Sequence, residues 1–318
     1  MAQYDVVIVG AGAAGLCAAA SAARHGLKVL VVERIGAGGQ VMNVDRIDNF
    51  PGYPQDISGY ELGPLLQEQA EMAGAEFLLD SIEALQVSGQ ERLLVGGEGT
   101  ISALAVVLAA GSSRRQLGVP GEERLQGRGV SHCASCDGPL FKNLEVCVVG
   151  GGDSALDEAL ALARLAARVT LIHRGPAFGA QQGLVEKIAA AGNVECIFDT
   201  QVQEIFGDGY VSGLALRHVG SGALRQLKTD GVFIQVGLAP HTGFLDGVVR
   251  LDAGGHVETD IMLRTSLEGV FAAGDIRAGS VAQLAAAAGD GVTAAIAAYR
   301  YIKALRQDAA GQPAPASS

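Results

Sequence analysis

Two cysteines set two residues apart, Cys133 and Cys136 in the stretch SHCASCDG, are the side chains in this sequence best placed to do chemistry. A CxxC pair can clip a metal, brace a fold, or cycle between dithiol and disulfide. Zinc would need two further ligands at suitable spacing. No second CxxC or paired His follows, and His25, His218, His241 and His256 show no metal spacing, so no metal site is expected. A purely structural bridge is disfavoured in a reducing cytoplasm. The redox reading takes the remaining weight: a thiolate attacks a disulfide, and a second sulfur two residues away can resolve the mixed disulfide. A free thiol ionises at about pH 8.5, so the surroundings have to help. His132 would raise the thiolate content if its ring lay beside a sulfur; the plainer expectation is a solvent-exposed bystander. The other cysteines, Cys17, Cys147 and Cys196, lie in Ala-rich or short apolar runs and read as packing residues.

A redox pair needs a source of electrons, and the segments around it suggest one. The chain opens DVVIV, GAGAAG, an Ala-rich stretch to His25 and Gly26, then KVLVVE ending at Glu33. Strand, glycine turn, helix and strand in that order form a dinucleotide-binding fingerprint. Gly10 allows the tight turn, Gly12 lets backbone N–H groups approach a pyrophosphate, and Gly15 lets helix and strand pack. The helix N-terminus, with Ala13, faces the phosphates, and Glu33 can accept from a ribose diol. The pattern returns without a gap at Glu145, in EVCVVGGGDSALDEALALARLAARVTLIHR, where Gly150, Gly152 and Ala155 match the three glycines. The step that leads from Gly10 to Glu33 leads from Gly150 to His173, followed by Arg174. No acid stands there for a ribose diol. Arg174 could favour a 2′-phosphate, and an empty second unit is the alternative.

The 318 residues are 49% hydrophobic, enough for two domains each with its own core. A net charge of −11 without a basic stripe argues against nucleic acid. The first residues show no signal-peptide pattern and no apolar run reaches the ~20 residues of a membrane span, so the expectation is a cytoplasmic protein without membrane attachment. The tail QDAAGQPAPASS is expected to be disordered.

Taken together, these motifs resemble the low-molecular-weight, flavin-dependent thioredoxin reductases over nearly the whole chain. GAGAAG with Glu33 looks like that family's FAD fingerprint. GGQ (Gly38 to Gln40) and DNFPG (Asp48 to Gly52) match its next flavin-contacting stretches, AAGSSRRQLGVPGEE (Ala109 to Glu123) its crossover, and CASCDG its active-site motif. GGGDSA matches its pyridine-nucleotide motif, GVFIQVGLAPHTGF (Gly231 to Phe244) its return crossover, and GVFAAGDIR (Gly269 to Arg277) the segment whose acid, Asp275, holds the ribityl chain. The resemblance implies FAD contacts from Gly10, Gly12, Ala13, Gly15, Glu33, Gly39, Gln40, Asn49, Ala109, Gly274, Asp275 and Gln283. It implies an α/β fold of two Rossmann-like (three-layer ββα) nucleotide-binding domains, the second inserted into the first: residues 1–115 with 244–318 for FAD, and an NADP-like domain at 116–243 that carries the CxxC and rotates. A C-terminal helix over about Val281 to Leu305 and a homodimer are expected. By motif position Cys136 is the flavin-proximal sulfur, Cys133 attacks the partner's disulfide, and Asp137 exchanges protons.

The departures from the family cluster at one ligand. Where the family grips the NADPH 2′-phosphate with HRRxxxR, this chain reads HRGPAFG, with Gly175 and Gly179 in place of two Arg. Ala282 replaces the Arg of a common Arg-Gln pair. Arg–phosphate contacts are among the stronger polar contacts, so NADPH is doubtful as donor, and the chain is similar to the family's NADPH-independent branch. The reading is a flavin enzyme reducing a thioredoxin-like protein, with ferredoxin or another donor. Net charge weighs against an acidic ferredoxin unless Arg114, Arg115, Arg124 and Arg128 make a local patch; a solvated face is the plainer reading. The alternatives are an NADPH enzyme with a rewired phosphate site using Arg174 and Lys187, an O₂-dependent dithiol oxidase, and a flavin-binding redox sensor.

Overall fold

The structure, a computed structural model, describes residues 3–309 except 45, 46, 48 and 54. Asp48 of the DNFPG stretch and the tail from residue 310 lie outside the described residues, as do the side chains of residues 43, 135, 136 and 309. The chain divides into two compact units, Met1–Ser113 with Ala239–Ser318, and Arg114–Leu238.

In chain order the first unit contributes β1 (Tyr4–Val9), α1 (Ala13–Arg24), β2 (Val29–Glu33), α2 (Gly59–Met72), β3 (Glu76–Leu79), β4 (Ile82–Ser88), β5 (Glu91–Gly96) and β6 (Gly99–Leu108). A short crossing strand β7 (Ser112–Arg114) follows. The second unit then holds β8 (Val130–Ser131), α3 (Ala134–Asp137), β9 (Glu145–Gly150), α4 (Asp153–Ala163), β10 (Arg168–Ile172), α5 (Gln182–Ala190), β11 (Val194–Ile197), β12 (Thr200–Phe206), β13 (Gly213–His218), β14 (Leu224–Lys228) and β15 (Gly231–Gln235). The chain returns through β16 (Leu238–Pro240) to β17 (Val270–Ala272) and α6 (Leu284–Ala309).

In the first unit the sheet runs β3-β2-β1-β6-β5-β4, with β17 added beside β6. Strands β3, β2, β1, β6 and β17 are parallel, and β4 and β5 close the edge antiparallel. The parallel strands are continuous apolar runs because both faces are covered. One face packs Val6, Ile8, Val29 and Val31 under the alanines of α1 and α6, and the other packs Val7, Val9, Leu30 and Val32 against Leu85, Leu94 and Leu245. Small residues let the two helices approach: a Cβ on Gly291 would stand 2.1 Å from the Ala14 carbonyl oxygen. Helix α2 starts at a Ser58–Glu61 capping box, which satisfies two N–H groups at its start. Helix α6 begins later than the sequence pattern predicts, because Ala282 sits at φ +49, a conformation a right-handed helix excludes.

The second unit repeats the plan. Its parallel sheet runs β11-β10-β9-β15-β8. Helices α4 and α5 bury Leu156, Ala159, Leu162 and Ile188 against Val146, Val148, Leu171 and Phe233 on one face. The antiparallel β12-β13-β14 sheet packs Val202, Ile205, Leu214 and Leu216 on the other. This is a three-layer arrangement of helices, parallel sheet and antiparallel sheet, so the mixed α/β fold with two Rossmann-like units is as the sequence implies. Among the described residues, no helix is long and apolar enough to cross a membrane.

Candidate active site

In the first unit, the turn after β1 gives each glycine a separate duty. Gly10 sits at φ +104, and a Cβ there would stand 2.4 Å from the Ala109 carbonyl oxygen. A Cβ on Gly15 would stand 1.9 Å from the Gly10 carbonyl oxygen, so only glycine lets α1 pack on this turn. A Cβ on Gly12, by contrast, would meet nothing within 4 Å. The middle glycine therefore leaves open space in front of backbone N–H groups at the start of α1, with Ala13 as the first residue of that helix. Such a helix start suits a phosphate.

Glu33 closes β2 beside this turn. Its Oε2 accepts the Ala11 N–H at 2.8 Å, and its Oε1 accepts the N–H groups of Arg34 and Ile35 at 2.8 and 3.0 Å. The carboxylate is thus fixed next to the glycine turn, where a ribose diol would need it. Gly38 donates to the Ala11 carbonyl at 2.8 Å, and Gly39 follows at φ +57 with Gly12 close by. Gln40 reaches the Ser112 carbonyl at 2.7 Å, and Asn49 pairs with Gln283 at 3.3 Å. Gly274 packs against Ala14, and Asp275 next to it accepts from the Ser280 hydroxyl at 3.0 Å. Sequence reasoning did not single out the ion pair behind this segment. Arg277 Nε lies 2.5 Å from Asp290 Oδ2, and that same oxygen accepts the Gly274 N–H at 3.1 Å. Asp290 on α6 thereby fixes the loop that carries Asp275. The open cradle at Gly12 and the fixed acid at Glu33 fit the pyrophosphate and ribose of FAD.

In the second unit, β8 leads into the one-turn helix that carries the cysteine motif. Cys133 is disulfide-bonded, while Cys17, Cys147 and Cys196 are free. The side chain of Cys136 lies outside the described residues. The main chain around Cys133 is held from several directions. The Ser131 hydroxyl accepts the Cys133 N–H at 3.1 Å and donates to Asp137 Oδ2 at 2.6 Å. The Asp137 N–H donates to the Cys133 carbonyl at 3.0 Å. The His132 carbonyl accepts from Arg114 and, at 2.8 Å, from Gln235 Nε2. The His132 ring is half-buried and Nδ1 donates to the Ile234 carbonyl at 3.0 Å, so it is not the solvent-exposed bystander expected from sequence. Glu158 on α4 accepts the Ala134 N–H at 2.5 Å. Burial pushes its carboxyl above the usual range, opposed by the Ala134 N–H and Arg114. Glu158 and Gln235 were not apparent in the sequence, because no local motif marks a partner 24 or 103 positions away, whereas Ser131 lies within the motif, two positions from Cys133.

The second glycine turn copies the first. A Cβ on Gly150 would stand 2.3 Å from the Gln235 carbonyl oxygen, Ala155 Cβ packs beneath it, and a Cβ on Gly152 would again meet open space. His173 lies over this turn: a Cβ on Gly151 would stand 2.1 Å from its Nδ1, and its ring packs on Phe178. The following loop is tied down by the Gly179 N–H to the Gly151 carbonyl at 2.9 Å, and Gln181 donates twice to Asp153 at 2.7 Å. The structure therefore brings Gly150, Gly152, Ala155 and His173 together. Arg174 is exposed, and the exposed Lys187 acts on Asp157 of α4.

A dinucleotide turn in each unit, with a disulfide just ahead of the second, is the equipment of a nucleotide-dependent disulfide oxidoreductase. The comparisons with known proteins agree. A family model described as pyridine nucleotide-disulphide oxidoreductase matches residues 4–291. Thioredoxin reductase of Treponema pallidum is 42% identical over 304 residues, covering 96% of this chain and 99% of that protein. The structure of Lactococcus lactis thioredoxin reductase aligns with a TM-score of 0.86 at 36% identity, over 95% of this chain and 100% of that one. A ferredoxin-flavin thioredoxin reductase from Clostridium acetobutylicum aligns more distantly, with a TM-score of 0.54 at 29% identity, over 96% and 99%. The chain belongs to the pyridine nucleotide-disulphide oxidoreductase family, as a thioredoxin-reductase-like flavin enzyme.

Proposed function

We propose that this chain reduces the disulfide of a thioredoxin-like protein through Cys133 and Cys136, and that NADPH is not its normal electron donor. FAD bound at the first glycine turn would supply the reducing electrons, held by Gly10, Gly12, Ala13, Gly15, Glu33, Gly39, Gln40, Asn49, Ala109, Gly274, Asp275 and Gln283. In the reduced pair the Cys133 thiolate attacks the partner disulfide, Cys136 resolves the mixed disulfide, and Asp137, anchored by Ser131, moves the protons. The reading places the enzyme in the cytoplasm as a homodimer.

The observation that carries the donor reading is the loss of cations from the family's phosphate motif: Gly175 and Gly179 stand in one loop where Arg would grip a 2′-phosphate, and Ala282, elsewhere in the chain, replaces a third Arg. Ferredoxin or another low-potential carrier is the proposed class of donor. An anaerobic titration tests it: a low-potential donor bleaches the flavin, and NADPH does little. Rapid stoichiometric bleaching by micromolar NADPH overturns it. A second reading, an ordinary NADPH enzyme, is favoured by the intact turn at Gly150, Gly152 and Ala155 and by the plain thioredoxin reductase names of the more similar relatives. The same titration separates the two.

A further inference from the structure

We infer that Glu158 is a positioning residue that tunes the Cys133 disulfide, setting how readily it is reduced and taking up a proton when it is. The inference rests on the proposed redox role of that pair.

Glu158 lies on α4, in the unit that carries the cysteine motif, and α3 packs directly on α4. Its Oε2 accepts the N–H of Ala134, the residue immediately after Cys133. The bond therefore does two things: it fixes the backbone on the C-terminal side of Cys133, as Ser131 fixes its own N–H, and it places a carboxylate one residue from the sulfur-bearing position. The surroundings offer that carboxylate limited compensation. Strands β9, β10 and β15 present Val146, Val148, Leu171 and Phe233 to this face of the unit, and none is charged. On α4 itself the neighbour Asp157 is a like charge, while Lys187 of α5 acts on Asp157. On the cysteine side, Asp137 is occupied with Ser131, and His132 donates through Nδ1 to Ile234. Arg114 is the cation whose charge acts on Glu158, and its guanidinium is also committed to the His132 carbonyl. Burial already favours the protonated form of Glu158.

Reduction changes the charge beside this group. The S–S bond breaks, two electrons enter from the donor, and one sulfur leaves as a thiolate while the other takes a proton. A thiolate near a poorly solvated carboxylate raises the energy of both, and a proton on Glu158 relieves it. A charged Glu158 should thus hold the pair in its disulfide form, and its protonation should ease reduction. The tie to Ala134 survives either state, because the carboxyl can still accept through one oxygen.

The test is the equilibrium of the FAD-loaded enzyme with a dithiothreitol redox buffer, followed by thiol labelling of Cys133 between about pH 5.5 and 8.5. Glu158→Gln keeps an acceptor for Ala134 and removes the charge. The expected result is an equilibrium shifted about tenfold toward dithiol at the alkaline end, ~30 mV for a two-electron couple, with the shift vanishing at the acid end. Glu158→Asp should restore the pH dependence. A second measurement needs no variant: the infrared difference spectrum of reduced minus oxidised wild type should gain a protonated-carboxyl band. Unchanged equilibrium and pH profile in Glu158→Gln, or no such band in wild type, overturns the inference. A wild type with no reversible labelling of Cys133 would instead sink the redox reading beneath it.

Discussion

The hydroxyl of Ser131 joins Asp137 to the main chain of Cys133: it donates to Asp137 Oδ2 at 2.6 Å and accepts the Cys133 N–H at 3.1 Å. One side chain thereby sets the position of the proposed acid relative to the attacking cysteine. Asp137→Asn keeps the shape and removes the proton carrier. It should lower turnover with a protein disulfide by about 10²-fold or more, with flavin content and thermal stability unchanged. Ser131→Ala keeps the acid and loosens it. A hydrogen bond to a charged group is worth about 1.5–3 kcal/mol, so turnover should fall about tenfold. Steady-state rates of the two variants, read beside their flavin spectra, check both.

Gly12 and Gly15 share a motif but should fail differently. A Cβ on Gly15 collides with the Gly10 carbonyl, whereas a Cβ on Gly12 enters open space. Gly15→Ala is expected to cost about 1–3 kcal/mol of stability through forced overpacking and to lose flavin with it. Gly12→Ala should melt within about 1 kcal/mol of wild type and yet purify with little flavin, because its methyl occupies the space proposed for the pyrophosphate. Equal flavin content in Gly12→Ala and wild type would move the cofactor away from this turn.

The contrast between those glycines also explains what the sequence made legible. A glycine turn is a local motif: its spacing marks the strand, turn and helix that follow one another in sequence, and both turns fold that way, although Gly10 and Gly150 also pack against the remote carbonyls of Ala109 and Gln235. The supports were not legible. Asp290 fixes the Asp275 loop from a helix, and Gln235 holds the His132 carbonyl from the far end of the second unit. Both act through contacts between elements distant in sequence, and a lone Asp or Gln carries no spacing signal. The start of α6 departs from the sequence pattern for a related reason: helical periodicity continues through Ala282, and only the fold imposes its positive φ.

Cys147 gives a pH prediction with a definite sign. It is buried in the core of the second unit, and burial pushes its thiol up to about 12. Unfolded, the thiol would give up its proton near the ordinary thiol value, about 9.0. The native state therefore binds more protons between those values, and stability declines as pH rises from about 9 to about 12. The limit is about 4 kcal/mol, at 1.36 kcal/mol for each pH unit. Below pH 9 the residue should contribute no slope. Denaturant melts at pH 7.5, 9 and 10.5 check this as a difference: Cys147→Ala should start less stable and lose less with pH than wild type. Parallel slopes for the two proteins would show that this thiol is not the group responsible.

Restoring the missing cations is the most direct trial of the donor reading. Gly179 is the better place to begin, because a Cβ there meets nothing within 4 Å and the Gly179 N–H can still donate to Gly151. Gly175 is tighter, since a Cβ would stand 2.9 Å from His173 Nε2 and the ring would have to move. A charge-assisted contact to the 2′-phosphate is worth about 1.5–3 kcal/mol, so Gly179→Arg should tighten NADPH binding by about tenfold or more and leave NADH unaffected. Adding Gly175→Arg should gain less than the first step, because His173 has to give way. Anaerobic flavin bleaching against NADPH and NADH measures both. If Gly179→Arg improves neither binding nor bleaching, the glycines are not what keeps NADPH out, and the intact turn at Gly150 and Gly152 becomes the stronger guide to the donor.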